Sequence, residues 1–242
     1  MSKGRRYNGE RKLNMKKLIE RYSHIFPALG YFLIYATWFG ILEKKVTRPA
    51  NLIHMKIDDS IPFCEVFIIP YLLWFVYIGL TFVYFIFRDK EGYIRLCLYL
   101  FTGMTVFLLV STIWPNGHNL RPRIMPRDNL FTALTQMLYQ TDTPTNLWPS
   151  IHVFNSIGAH IAIARNDALR KHKPIVLGSL MLCVSIILST VFLKQHSVFD
   201  VLTAFLMAAI LYVPVYTLDL VQILRSAHDA RIARKNSCRH SV

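Results

Sequence analysis

Apolar residues in this chain come in long unbroken runs, not in the alternating or every-third-or-fourth patterns of soluble strands and helices. Six runs stand at 25–42, 61–87, 93–114, 150–164, 174–193 and 198–218. A helix needs roughly 20 mainly apolar residues to cross a bilayer, and all but one of the runs approach or exceed that length. The pattern predicts an all-α, polytopic membrane protein with six transmembrane helices in a bundle. The run at 61–87 is long enough to tilt, with Pro62 and Pro70 as the expected kink points. The run at 150–164 is the shortest, and it carries His152, Asn155, Ser156 and His160. Polar groups at membrane depth normally face a bundle interior or a wet cavity, so this weak span is also a functional hint.

Polar segments frame these runs. Residues 1–24 form a basic arm, with an interfacial helix as one reading, and 223–242 a basic tail; both are expected to be cytoplasmic. Between them, 25–222 reads as one membrane domain. The connection at 115–148 is the longest and is rich in Pro, Asn, Thr and Arg; such loops are more often functional than idle. Neither internal repeats nor low-complexity segments occur.

Composition agrees: 53% of the 242 residues are hydrophobic. The formal charge of +14 raises the question of nucleic acid, but the basic residues sit mostly at the chain ends and between the runs. That distribution is what membrane orientation requires, and nucleic acid is not an expected partner; contact of the basic ends with anionic lipids is. With six crossings, 20 of the 28 Lys and Arg residues fall on the side of the two termini. The positive-inside rule therefore makes that side cytoplasmic. His152, His196 and the long loop with Arg121 and Arg123 then meet at the opposite, outer face. Cys64, Cys97, Cys183 and Cys238 show no metal-type or paired spacing and read as small packing residues. Glu65 is expected at the exposed boundary of its span, Asp142 in a turn, and His160 hydrogen-bonded or packed within the bundle.

His196 and Asp200 stand four positions apart, on one face of a helix, where the carboxylate can hold and charge-stabilise the imidazole. With a second histidine as proton donor and guanidinium groups to neutralise equatorial oxygens, this set suits phosphoryl transfer without a metal. Ser150 and the free amides opening the fourth span add an anion site at a helix amino terminus. Each piece alone has a plainer explanation. Pro149-Ser150-Ile151-His152 also describes a capped helix start, and Arg121-Pro122-Arg123 a solvated turn.

Together, Leu120-Arg121-Pro122-Arg123, Pro149-Ser150-Ile151-His152, and Ser189 with His196 and Asp200 resemble the three signature segments of the type 2 phosphatidic acid phosphatase superfamily. The resemblance covers about 114–200 in order and spacing, and none of the first two spans. It implies a six-helix membrane enzyme in which His196 forms a phosphohistidine, Asp200 supports it and His152 is the general acid. Arg121, Ser150 and Ser189 would bind phosphate, with Arg123 a weaker candidate. Two family positions depart: Trp114 stands where a lysine opens the first segment, and Thr190 where an arginine follows the serine. Lys194, His118 and Asn116 are the candidates to replace those cations. Two positions before His196 on a helix, Lys194 would point to another face.

The expectation is a cofactor-free, metal-independent lipid phosphatase acting on a lipid phosphomonoester or diphosphate at the outer face of a cell membrane, with short loops that suit a bacterial inner membrane. Its partners would be the lipid phosphate substrate and membrane lipids. A lipid phosphotransferase or head-group synthase using the same histidines is the alternative, and a catalytically silent lipid-binding relative the third.

Overall fold

The computed structural model describes residues 22–47, 51–223, 225–227 and 229–231. Most of the expected basic arm and tail, with Cys238, lies outside the described residues. Helices run in the order α1 (Phe26–Lys45), α2 (Lys56–Ser60), α3 (Ile68–Arg88), α4 (Lys90–Ile113), α5 (Leu130–Thr141), α6 (Ile151–Arg165), α7 (Lys173–Phe192) and α8 (Val198–Tyr212). A π-helical turn, Val213–Thr217, continues α8 at Pro214, which has no N–H for the α-helical ladder.

Caps written in the sequence set several of these starts. Asp89 accepts the Gly92 N–H at 2.9 Å to open α4, and Asn129 accepts the Thr132 N–H at 3.0 Å to open α5. At α8 the Ser197 hydroxyl accepts the Phe199 N–H, while the Asp200 carboxylate reaches back to the Ser197 N–H at 3.0 Å. This is a capping box, and it uses the carboxylate that also faces His196.

Five helical segments are long and apolar enough to cross a membrane: Ser23–Lys45, Glu65–Arg88, Lys90–Ile113, Lys173–Phe192 and Val198–Thr217. Their outward faces are apolar. Phe32, Leu33 and Ile34 of α1, Leu80 of α3, Met181 of α7 and Leu206 of α8 are all exposed. So continuous an apolar surface belongs in lipid, not in water. The chain is accordingly all-α and of multi-pass membrane type.

The remaining run, the fourth, forms α6, only 15 residues long, or about 22 Å at the α-helical rise. It packs against α3, α4, α7 and α8 at the centre of the bundle. Its buried residues, from Ile151 and Val153 through Asn155, Ser156 and Gly158 to Ile163, go right round the helix. A helix enclosed on all sides has no need of a single apolar stripe. Close approach is achieved with glycine: a Cβ at Gly103 of α4 would run into the Phe154 ring, and one at Gly158 into Leu100 and Tyr99. Phe154 stacks on Tyr99 with centroids 4.9 Å apart.

At the end of the bundle where α6 begins, three connections are knitted together. Strand β1 (Asn51–Leu52) pairs in parallel with β2 (Asn116–Gly117), Asn51 against Asn116, and Gly117 also bridges to Thr145. Glu43 at the end of α1 accepts from the Thr143 hydroxyl at 2.6 Å and the Asn146 amide at 3.1 Å.

Three expectations need correction. Pro62 lies in a non-helical connection and Pro70 in the first turn of α3, where its missing N–H removes no helical bond, so neither sits in a helix interior. Glu65 is not boundary-exposed: its side chain is 3% exposed and takes Arg127 at 2.6 Å and Asn129 at 3.0 Å. The long connection is not loop throughout, because α5 folds within it. Phe131, Leu134 and Leu138 make one helix face and pack on Ile68, Tyr71 and Leu193.

Gly103→Leu should lower stability by about 1–3 kcal/mol or more, since it overpacks the stacked Phe154 and Tyr99 rings. Gly178→Leu, on an exposed face of α7 with nothing within 4 Å of an added Cβ, should be tolerated. Thermal unfolding of both purified variants in detergent checks the contrast; equal melting temperatures would contradict the packing argument.

Candidate active site

His196 sits in the short turn 193–197 between α7 and α8, and it is 4% exposed. Its Nδ1 lies 3.4 Å from Asp200 Oδ2, which leaves Nε2 as the free ring nitrogen. His152, in the first turn of α6, faces it with ring centroids 5.7 Å apart. Tyr71 at 4.8 Å and Trp74 at 4.5 Å flank His152, and among the described residues nothing hydrogen-bonds its nitrogens. Both histidines line one cavity of about 340 Å³. Its walls come from α1 (Tyr35, Phe39), α3 (Tyr71, Trp74, Phe75), α4 (Phe107) and the connection ahead of α6 (Asp142, Asn146). Phe75 is 58% exposed, so the cavity reaches the apolar outer surface beside α3.

Burial drives the electrostatics. Loss of water, with the positive Arg121 nearby, pushes His196 down to about 3, so its imidazole is neutral and able to act as a nucleophile at ordinary pH. Arg121 is itself drawn below its ordinary value by burial but stays a cation. It stacks on the Tyr139 ring at 4.4 Å and donates to the Asp142 carbonyl at 2.8 Å, the Tyr139 carbonyl at 3.2 Å and the Gln195 side-chain oxygen. Its Nε is buried and, among the described residues, has no partner, as is the case for Gln195 Nε2. Two unspent donors beside the nucleophile are an unusual concentration, because buried polar groups are nearly always satisfied.

His118 braces the turn from the other side. It accepts the Leu120 N–H on Nδ1 at 3.2 Å, so the proton is on Nε2, which donates to the Gln195 carbonyl at 2.8 Å. Burial pushes His118 down to about 4. Asp58, from α2, supplies a third brace. It accepts from the Ser197 hydroxyl at 2.6 Å and the Val198 N–H at 2.8 Å, and its own carbonyl takes Lys194 Nζ at 2.7 Å.

The other expected phosphate contacts lie elsewhere. Ser189 is fully buried and its hydroxyl donates to the Ile186 carbonyl at 2.6 Å. Ser150 caps α6, its hydroxyl 3.4 Å from the Val153 N–H, while its own N–H donates to the Asp200 carbonyl at 3.3 Å. It therefore ties α6 to α8. Lys194 is bonded to Asp58 and lines a separate surface depression with His54 and Asp59. Arg123 is exposed on the loop. None of these four lines the cavity of the two histidines, and neither does Arg121, which stands behind the His196 turn and reaches it through Gln195. The stand-ins considered for the missing cations are spent as well, since the Asn116 side chain takes the Leu147 and Trp148 N–H groups and gives to the Trp114 carbonyl. Trp114 is 55% exposed, and the Thr190 hydroxyl donates to the Ile187 carbonyl. His160, as expected, bonds inside the bundle, Nδ1 to Ser179 at 3.0 Å.

Gln195, Tyr71, Asp142 and Asp58 enter the site without having been singled out for it. Gln195 had a signal, as the polar neighbour of His196 in the short break between two apolar runs. Asp58 had none, because a carboxylate that caps a helix 140 residues away leaves no local pattern. Among the described residues no group of three or more His, Cys, Asp or Glu is placed to hold a metal ion. No family model, curated protein or solved structure matches the chain.

The depressed His118 gives a pH test. In the unfolded chain a histidine takes its proton near 6.5, so the stability contributed by neutral His118 is complete above that value and is lost as pH falls towards 4. His118→Gln keeps a donor for the Gln195 carbonyl but cannot titrate. Its melting temperature should fall less steeply than wild type between pH 7 and 4.5, measured in detergent. Parallel slopes would contradict the assignment.

Proposed function

We propose that the chain is an integral membrane lipid phosphatase that cleaves a lipid phosphomonoester or diphosphate through a phosphohistidine on His196. One observation carries the reading: His152 from the first turn of α6 and His196 from the turn before α8 face each other at 5.7 Å across one cavity, with Asp200 behind His196 and the Arg121 charge nearby. The resemblance of the three segments to the type 2 phosphatidic acid phosphatase superfamily supports it. So do the aromatic walls, which suit the chain of a lipid, and the contact of the cavity with the outer apolar surface.

In this reading α6 also crosses the membrane, as the fourth of six spans, short because the site lies at its mouth. Both termini are cytoplasmic, and the site faces the outside of a cell membrane, for which the distribution of Lys and Arg is the argument. Phosphatidate, phosphatidylglycerol phosphate and polyprenyl diphosphate are the candidate substrates.

The chemistry balances in two steps. His196 Nε2 attacks phosphorus, and the N–P bond forms as the P–O bond to the leaving group breaks, with a proton passing to the departing oxygen from His152, which takes that proton up when the negative phosphate enters beside it. Water then attacks the phosphohistidine and gives its proton to His152, which frees His196 and inorganic phosphate. Asp200 stabilises the charge on the His196 ring, and Arg121 the charge on the phosphoryl oxygens.

A transferase, in which a lipid alcohol replaces water in the second step, is the second reading. The positions of Trp114 and Thr190 favour it, because a site with Arg121 as its near cation is better matched to a singly charged diester than to a dianion. Analysis of products with and without an added lipid alcohol separates the two.

Purified protein should release phosphate from at least one lipid phosphate with chelator present. His196→Ala should abolish the release, and His152→Ala should lower it about 10²–10⁴-fold. Full activity of His196→Ala would overturn the mechanism.

A further inference from the structure

Asp142 and Asn146 stand on the wall of the histidine cavity and have no part in the phosphoryl chemistry above. Tyr71 measures their distance from it. Its ring lies 4.8 Å from the His152 ring, and its hydroxyl reaches Asp142 Oδ2 at 3.4 Å, so the carboxylate stands one tyrosine away from the proposed general acid. That long bond is the only side-chain hydrogen bond to Asp142 among the described residues. Arg121, close at hand, takes the Asp142 backbone carbonyl instead of the carboxylate. Asn146 gives its amide to Glu43 and Thr145, and its side-chain oxygen is buried with no partner among the described residues. This part of the wall therefore holds acceptors that lack donors, at a cost that a bound donor would remove.

The charge points the same way. Burial lifts Asp142 to about 6, which still leaves it mostly ionised at neutral pH. A carboxylate there attracts a cation or a hydroxyl proton.

We propose that Asp142 and Asn146 form a subsite for a hydrogen-bond donor, a hydroxyl or an ammonium, carried by the substrate close to its phosphorus. The site then prefers lipid phosphate esters whose head group bears such a donor over esters that bear none. This deepens the proposed function and rests on its placing of phosphorus beside His196.

Binding to a His196→Ala background removes turnover from the measurement. The probes are dihexanoyl phosphatidylglycerol, phosphatidylethanolamine and phosphatidylmethanol, which share one phosphate charge and differ in the donor, titrated into the protein in detergent. The glycerol or ethanolamine ester should bind at least about tenfold more tightly than the methyl ester. Adding Asp142→Asn should remove most of that preference while methyl ester binding stays within a few-fold. Asn146→Leu should reduce the same ratio, so the result does not depend on one variant folding. A preference for glycerol alone identifies a hydroxyl, and one for ethanolamine alone an ammonium; either upholds the subsite. Equal affinity for the three esters, or a preference that survives both variants, would overturn it. Absence of turnover in the parent protein with the Asp142-dependent preference intact would overturn the phosphatase reading and leave the subsite standing.

Discussion

The structure depends on burying the turn 193–197. A turn taken out of solvent must have its backbone polar groups satisfied by protein, and this one is answered from four parts of the chain. His118 holds the Gln195 carbonyl, Tyr139 the Leu193 carbonyl at 2.5 Å, Asp58 the Ser197 hydroxyl and Lys194, and Thr190 the N–H groups of Gln195 and His196. The connections before α3 and α6 are long because they have to reach it. The β1–β2 pair and the Glu43 clamp fix those connections in turn.

The same burial makes the candidate chemistry available. An imidazole removed from water and close to Arg121 stays neutral, which a nucleophile at phosphorus requires. The Ser150 N–H to Asp200 carbonyl bond joins the start of α6 to α8, so His152 and the His196–Asp200 pair are held in one frame. Glycines at 103 and 158 let α6 sit deep enough for His152 to meet its partner.

Much of the fold was legible because lipid-crossing helices are written as long apolar runs; α3, α4, α7 and α8 lie close to those runs. Helix α5 was not, since 12 residues with one apolar face inside a polar connection resemble loop until Phe131, Leu134 and Leu138 are read at helical spacing. In the site, the spacing of His196 and Asp200 on a helix start made their pairing readable. The uses of Lys194 and Ser189 were not, because a cation or hydroxyl near a nucleophile looks like a ligand contact until its actual partner, the Asp58 or Ile186 carbonyl, is seen. Asp58 and Glu65 were missed for a related reason: their partners, Ser197 and Arg127, are distant in sequence.

The most direct measurement is to quench the purified protein in mid-turnover with a lipid phosphate labelled on the phosphoryl group to be transferred, and to locate the label on the chain. The account predicts an acid-labile, alkali-stable phosphoryl group on the peptide that contains His196, absent from His196→Ala and accumulating in a variant slow in the second step. Turnover with no label on the protein, or label on another residue, would contradict it.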